Sequence, residues 1–216
     1  ALLNPTYVGT FGYSPHLREW VNNAAYVQRN VIALLLEAPA FFQLLQDSNK
    51  WVSSLRSMIE LHPRTIDGLN MTLTVNTLGH PVGGAGEEQE EFVNVVRTRS
   101  NPVFTYNDKY GRPFQRMIEY WITYGLMDPA SKVANIGTLQ NYPPDMLPER
   151  YAMTVMFIEP DPTHRQVVKA WLSTNMFPNG TGEITGRRDL NSDMPMPELS
   201  IEFTALTRVG MGVDLV

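Results

Sequence analysis

The sequence predicts a protein of the α+β class that is mainly β: an antiparallel β-barrel or sandwich core with one or two packed helices. Three observations carry this expectation. Sixteen prolines and fifteen glycines among 216 residues punctuate the chain with turns. Several short stretches alternate apolar and polar side chains with the two-residue period of a half-buried strand. Strands and helices do not alternate in the rhythm of a parallel sheet.

Near the start, "SPHLREW" offers Ser14 as an N-cap and Pro15 at a first helical position, so a short helix is expected there. "RNVIALLLEAP" (Arg29–Pro39) is an apolar run whose period does not assign it. A strand buried on both faces is favoured, because Pro39 ends the run early; a helix is the alternative. "DSNKWVSSLRSMIELHP" (Asp47–Pro63) sets Trp51, Leu55, Met58 and Ile59 at helical spacing, with Leu61 and His62 near the end and Pro63 as the stop. In "GLNMTLTVNTL", Leu69, Met71, Leu73 and Val75 face one way and Asn70, Thr72, Thr74 and Asn76 the other. That is a half-buried strand with an uncharged polar face.

"GHPVGGAGEEQEE" (Gly79–Glu91) is expected as an exposed, flexible loop, with "FVNVVRTRS" as the strand that closes a long hairpin around it. "PVFTYND" is a further short strand. "GRPFQRMIEYWITYGLMDP" (Gly111–Pro129) is the clearest helix: Phe114, Met117, Ile118, Trp121 and Leu126 form one apolar stripe, and Asp128-Pro129 closes it. The following stretch, up to Arg150, reads as irregular. "YAMTVMFIEP", "QVVKAWLSTNMFP" and "PELSIEFTAL" read as three strands, the last with Leu199, Ile201 and Phe203 alternating against Ser200, Glu202 and Thr204. The count is six or seven strands and two or three helices in a single domain, residues 1–216.

Composition narrows the chemistry. With no cysteine, disulfides, thiolate metal sites and cysteine nucleophiles are excluded. The longest apolar run, Val31–Phe42, is broken by Glu37 and Pro39 and is too short to span a bilayer, so no membrane insertion by this chain is expected. A net charge of −5 argues against a broad basic face that grips nucleic acid. It argues equally against an oligonucleotide-binding barrel, which needs basic grooves with exposed aromatics.

No constellation of catalytic residues emerges. His16, His62, His80 and His164 lack the one-turn spacing of a helical metal site. His62 reads as a helix-end residue favoured by the dipole, and a cage of Glu159, Asp161 and His164 is outweighed by a plain exposed turn. There is no G-x-S-x-G nucleophile turn. Glu87, Glu88, Glu90 and Glu91 crowd one loop, whereas acid–base pairs need a rigid, partly dry setting. The "GGAG" before them is no phosphate cradle, since the glutamates would repel the ligand. In "MFPNGTGEITGRRDLNSDMPMPELSIEFTAL", Arg187 and Arg188 could hold a phosphate, but Asp189 follows at once and can pair with one of them. A strand-to-strand crossover is the better reading, and no enzyme activity, cofactor or metal is expected.

Several of these stretches together resemble one family. "RNVIALLLEAP", "MIELHPRTIDGLNMTLTV", "PVGGAGEEQEE", "YGRPFQRMIEYWITYGLMDP" and "WLSTNMFPNGTGEITGRRDLNSDMPMPELSIEFTAL" are similar, in this order, to the tail tube proteins of large contractile-tailed bacteriophages. The resemblance runs from about residue 28 to 206. It implies a structural virion protein whose hexameric rings stack into the inner tube of a contractile tail. Each subunit would give strands to a continuous β-barrel around the lumen, with a helix and loops outside. Implied partners are further copies of the chain, the tail sheath protein, and baseplate and tape-measure proteins. DNA would pass the lumen without specific binding, after assembly of the tail in the bacterial host cytoplasm.

Within that frame, residues 1–28 become an N-terminal arm, and 79–91 and 130–150 inserted loops. Asn70, Thr72, Thr74 and Asn76 are candidate lumen-facing residues. Glu87, Glu88, Glu90 and Glu91 are candidate inter-ring contacts, with Arg97, Arg99 or Arg112 of a neighbour as charge partners. Arg187, Arg188 and Asp189 form a candidate subunit-boundary loop. The alternative within the same fold is a tube or ring subunit of a bacterial contractile injection or secretion system.

Overall fold

A computed structural model of the chain describes residues 28–84, 86–138, 147–183, 186, 188, 190, 191, 193, 196–209 and 213. The helix expected at Ser14 and Pro15 lies outside these residues. Strand β1 (Ile32–Glu37) occupies the first apolar run. It is an edge strand, hydrogen-bonded among the described residues to β6 (Met153–Pro160) alone. Ala33 and Leu35 are therefore buried, while Ile32, Leu34 and Leu36 are exposed. The expectation of two buried faces is corrected here: an unbroken apolar run marks a strand but does not choose between a central and an edge position.

After β1 come α1 (Phe41–Leu44) and α2 (Ser48–Glu60), which turns Leu55, Met58 and Ile59 inward at the expected spacing. Helix α3 (Pro113–Tyr120) starts with proline in its first turn, where a missing N–H costs nothing, and runs into a π-helical turn at Trp121–Leu126. The wider turn carries Gly125 against the Phe41 ring, so closely that a Cβ would sit 2.8 Å from it. Trp121 Nε1–H donates to the Tyr151 carbonyl at 2.8 Å, at the end of α4 (Pro148–Tyr151).

The main sheet is antiparallel and curled into a half-barrel. Its order is β1-β6-β7-β8-β5-β2, where β2 is Thr65–Asp67, β5 Val103–Asn107, β7 Val167–Pro178 and β8 Glu198–Arg208. The helices cover one face of it. From β8, Leu199, Ile201, Phe203 and Ala205 all point into the core, as the alternation predicts. Phe203 lies edge-on to Phe104 at 5.3 Å and meets Trp121 at 6.3 Å. A polar step on this face, Ser173 beside Thr207, is satisfied by a hydroxyl–hydroxyl bond of 2.8 Å. Eight strands are present among the described residues where six or seven are expected. The additional one, β2, has only three residues and is too short to display a period.

Candidate assembly surfaces

The remaining two strands, β3 (Leu73–Pro81) and β4 (Glu88–Arg97), form a ribbon of their own. It prolongs the β2–β5 pair at the sheet's edge. Asp67 stands opposite Val103, and Leu73 opposite Arg97, six residues further along both strands. Between these rungs Gly68 takes a positive φ of 76°, and a Cβ there would collide with the Asn101 carbonyl oxygen. Beyond it, Thr98 N–H donates to the Thr72 carbonyl at 3.0 Å, and Thr72 N–H donates to Thr98 Oγ1 at 3.0 Å. The break is therefore a bonded corner.

Residues directly opposite in an antiparallel pair share a face, so the register assigns both faces of the hairpin. One bears Leu73, Val75 and Thr77 against Arg97, Val95 and Phe92, followed by Glu90 and Glu88 towards the tip. Thr77 Oγ1–H donates to Glu90 Oε2 at 3.2 Å on this face. The other bears Thr74 and Asn76 against Val96 and Asn94, then Leu78 and His80 against Glu91 and Gln89. His80 Nε2 lies 3.9 Å from Glu91 Oε1. A register shift beside Asn76, which leaves Val93 without an opposite residue, keeps the apolar face in phase. Neither face is covered by the described residues: Leu73 is 63%, Val75 57% and Phe92 66% exposed.

These facts correct two expectations. The strand is not half-buried within one chain, and it begins at Leu73 rather than Leu69. Thr74 and Asn76 lie in it on one face, whereas Asn70 and Thr72 precede it. The expected loop from Gly79 to Glu91 is mostly strand. Between the strands, Val82 N–H donates to the Glu87 carbonyl at 2.8 Å. Glu88, Glu90 and Glu91 thus sit on the ladder, where pairing overrides the poor strand propensity of glycine and glutamate. Arg97 ends β4, the exposed Arg99 follows it, and Arg112 precedes α3 with Nη1 3.4 Å from Gln115 Oε1. In the candidate subunit-boundary loop Arg188 is exposed, while Arg187 and Asp189 lie outside the described residues.

Sequence reasoning missed a second surface. On the sheet face turned away from the helices, Thr65, Thr105 and Ser200 form one polar row across β2, β5 and β8. The next row holds Asp67, Val103 and Glu202, and Glu202 Oε1 accepts from Asn101 Nδ2 at 3.0 Å. Arg64 Nη1 reaches Glu198 Oε1 at 3.4 Å at the rim. The alternation of Ser200, Glu202 and Thr204 is legible in the sequence; that Thr65 joins them is not, because β2 is so short.

The groups tested for chemistry have structural roles. His62 lies two residues past the end of α2, its Nε2 3.2 Å from Lys109 Nζ and its ring 5.5 Å from that of Phe114. Burial first, and then the Lys109 charge, hold its pKa below the usual value. His62 thus lies at the helix end as expected, with its ring biased towards the neutral form. Asp161 accepts from Thr163 Oγ1–H and from the Arg165 and Gln166 backbone N–H groups in the β6–β7 turn. These bonds, the Thr163 hydroxyl foremost, pull its pKa down to about 2. Among the described residues no three His, Asp or Glu gather as a metal site. No described helix is long and apolar enough to cross a membrane.

An exposed ribbon with an apolar face thus prolongs the edge of a curled sheet. The whole chain, residues 1–216, matches the family described as phage tail tube protein. The chain belongs to the phage tail tube protein family. This tail tube protein is a structural component, not an enzyme. No curated protein matches it. Among solved structures, a match at 13% identity is the tube-terminating cap of the anti-feeding prophage, over 88% of this chain and 98% of that chain, with TM-score 0.40. A sheath/tube terminator of an extracellular contractile injection system matches at 12% identity, over 86% and 97%, with TM-score 0.41. A chain of the anti-feeding prophage baseplate matches at 10%, over 87% and 96%, with TM-score 0.44.

Proposed function

We propose that this tail tube protein assembles into hexameric rings that stack as the inner tube of a contractile phage tail, the conduit for genome ejection. The observation that carries the proposal is the β3–β4 hairpin, whose Leu73, Val75, Phe92 and Val95 share one uncovered face. Apolar surface of this kind gains roughly 25 cal/mol per Å² when another subunit covers it. An uncovered two-stranded ribbon is marginal in water by itself, so neighbours complete it. The free edges of β1 and of the hairpin join the strands of adjacent copies, closing a barrel that no single chain can close.

In this tube the uncharged residues Asn70, Thr72, Thr74 and Asn76 face the lumen. Such a wall gives DNA phosphates no gain from counterion release, so the genome slides past. Glu87, Glu88, Glu90 and Glu91 meet the next ring, and the exposed Arg188, with Arg187 and Asp189, marks a subunit boundary. Sheath, baseplate and tape-measure proteins are the remaining partners in the virion tail.

The test is negative-stain microscopy with sedimentation at rising concentration. Rings or long hollow tubes of six-fold symmetry are expected, and alanine at all four glutamates should leave rings that stack poorly. A concentration-independent monomer sinks the proposal.

A further inference from the structure

A groove of about 770 Å³ runs between α2 and α3 on the helical side of the molecule. Its floor is apolar and rigid: Trp51 stacks on Tyr120 at 4.7 Å, beside the buried Phe114 and Met117. Its rim is cationic. Lys50, Lys109 and Arg116 line it against a single carboxylate, Asp47, in a chain whose net charge is −5. Asp47 binds Lys50 at 2.9 Å, leaving Lys109 and Arg116 without an ion pair among the described residues. Lys109 is held in place by its bond to His62 and by the Phe114 ring, 5.8 Å beneath its Nζ. A groove with an apolar floor and surplus fixed cations favours an acidic segment with apolar shoulders.

The chain itself carries such a segment. From Pro81 to Glu91 there are four carboxylates, no lysine and no arginine, with Pro81 and Val82 as apolar shoulders. The hairpin behind it has nine rungs, a length of about 30 Å at roughly 3.4 Å per residue, so it reaches well beyond its own body. Apart from the half-exposed His80, every residue of its two strands is exposed. We propose that the groove between α2 and α3 receives the acidic hairpin tip of a second copy of this chain. The proposal rests on the tube reading above and deepens it by naming the surface that accepts the tip. Lys109 and Arg116 bind the tip carboxylates, and Trp51 and Tyr120 take the apolar shoulder.

Three full-length variants test it: K109E/R116E, the tip variant E87K/E88K/E90K/E91K, and one chain carrying both sets. All the substituted side chains are exposed, and unchanged thermal melts of the unassembled chains would verify folding. Each set alone should weaken assembly about tenfold or more, the effect of like charges set across a contact. The combined chain should regain tubes. Rising salt should weaken the parent's assembly, because exposed charge pairs are screened.

If K109E/R116E builds tubes like the parent while the tip variant does not, the groove assignment is overturned and the tube reading stands. If K109E/R116E builds normal tubes but loses binding of a polyglutamate peptide that the parent binds, the groove serves an acidic segment of another protein, which also overturns it. A parent chain that forms neither rings nor tubes overturns both readings.

Discussion

Strands β8 and β3 carry nearly the same pattern and meet opposite fates. In β8, Leu199, Ile201 and Phe203 alternate with Ser200, Glu202 and Thr204, and all three apolar side chains are buried under the helices. In β3, Leu73 and Val75 alternate with Thr74 and Asn76 just as regularly, yet every one of them is exposed. Alternation reports that one face of a strand is to be covered. It does not report by what. For β8 the cover includes Trp121 of the π-helical turn in the same chain; for the hairpin no described residue supplies it.

Matched substitutions give the sharpest way to break that comparison. Phe203→Ala should cost about 3–5 kcal/mol of monomer stability, since it empties a site walled by Phe104 and Trp121. Phe92→Ser, on the hairpin's apolar face, should change monomer stability by no more than about 0.5 kcal/mol while abolishing tubes. Denaturant unfolding of dilute protein reads the first effect and electron microscopy the second. A large stability loss in Phe92→Ser would show that the hairpin is folded onto its own body and would end the contrast.

The joint between the two regions comes next in size. Gly68→Ala forces a Cβ against the Asn101 backbone at a positive φ. It should cost about 1–3 kcal/mol, as strained backbone positions do. It should also impair assembly even where the chain remains folded, because the corner aims the hairpin. Hydrogen exchange that loosens Thr72 and Thr98 first would locate the effect at that corner. Uniform loosening across β8 would place it in the body instead.

The smallest effect belongs to the body alone. Asp161 has its pKa lowered to about 2 by the turn it organises. A depressed carboxylate pKa contributes stability that is present above the ordinary value near 3.8 and is lost as pH falls through about 2. The parent should therefore lose more stability than Asp161→Asn between pH 4 and pH 2. Because the turn lies at the surface, the difference is slight, and identical acid titrations of the two proteins would refute the role of the turn bonds.

What the sequence by itself determined is local. Periodicity placed Leu55, Met58 and Ile59 on one face of α2, Phe114, Met117, Ile118 and Trp121 on one face of the α3 segment, and Leu199, Ile201 and Phe203 inside β8. Side chains repeat at fixed intervals along a helix or strand, so burial leaves its period in the order of residues. The absence of cysteine and the surplus of acid were equally legible, because they are sums over the chain.

Only the tertiary structure decided the rest. It set β1 at an edge, so Ile32, Leu34 and Leu36 stand bare, and it joined Thr65 to Thr105 and Ser200 in one row. It drew Glu88, Glu90 and Glu91 out of an expected loop and onto a ladder. It also brought Trp51, Lys109 and Arg116 to one groove from segments some sixty residues apart. The physical reason is common to all four. Pairing and packing across a sheet depend on which distant segments meet, and that choice is made by the hydrogen bonds and covered area of the whole fold, which no local period encodes.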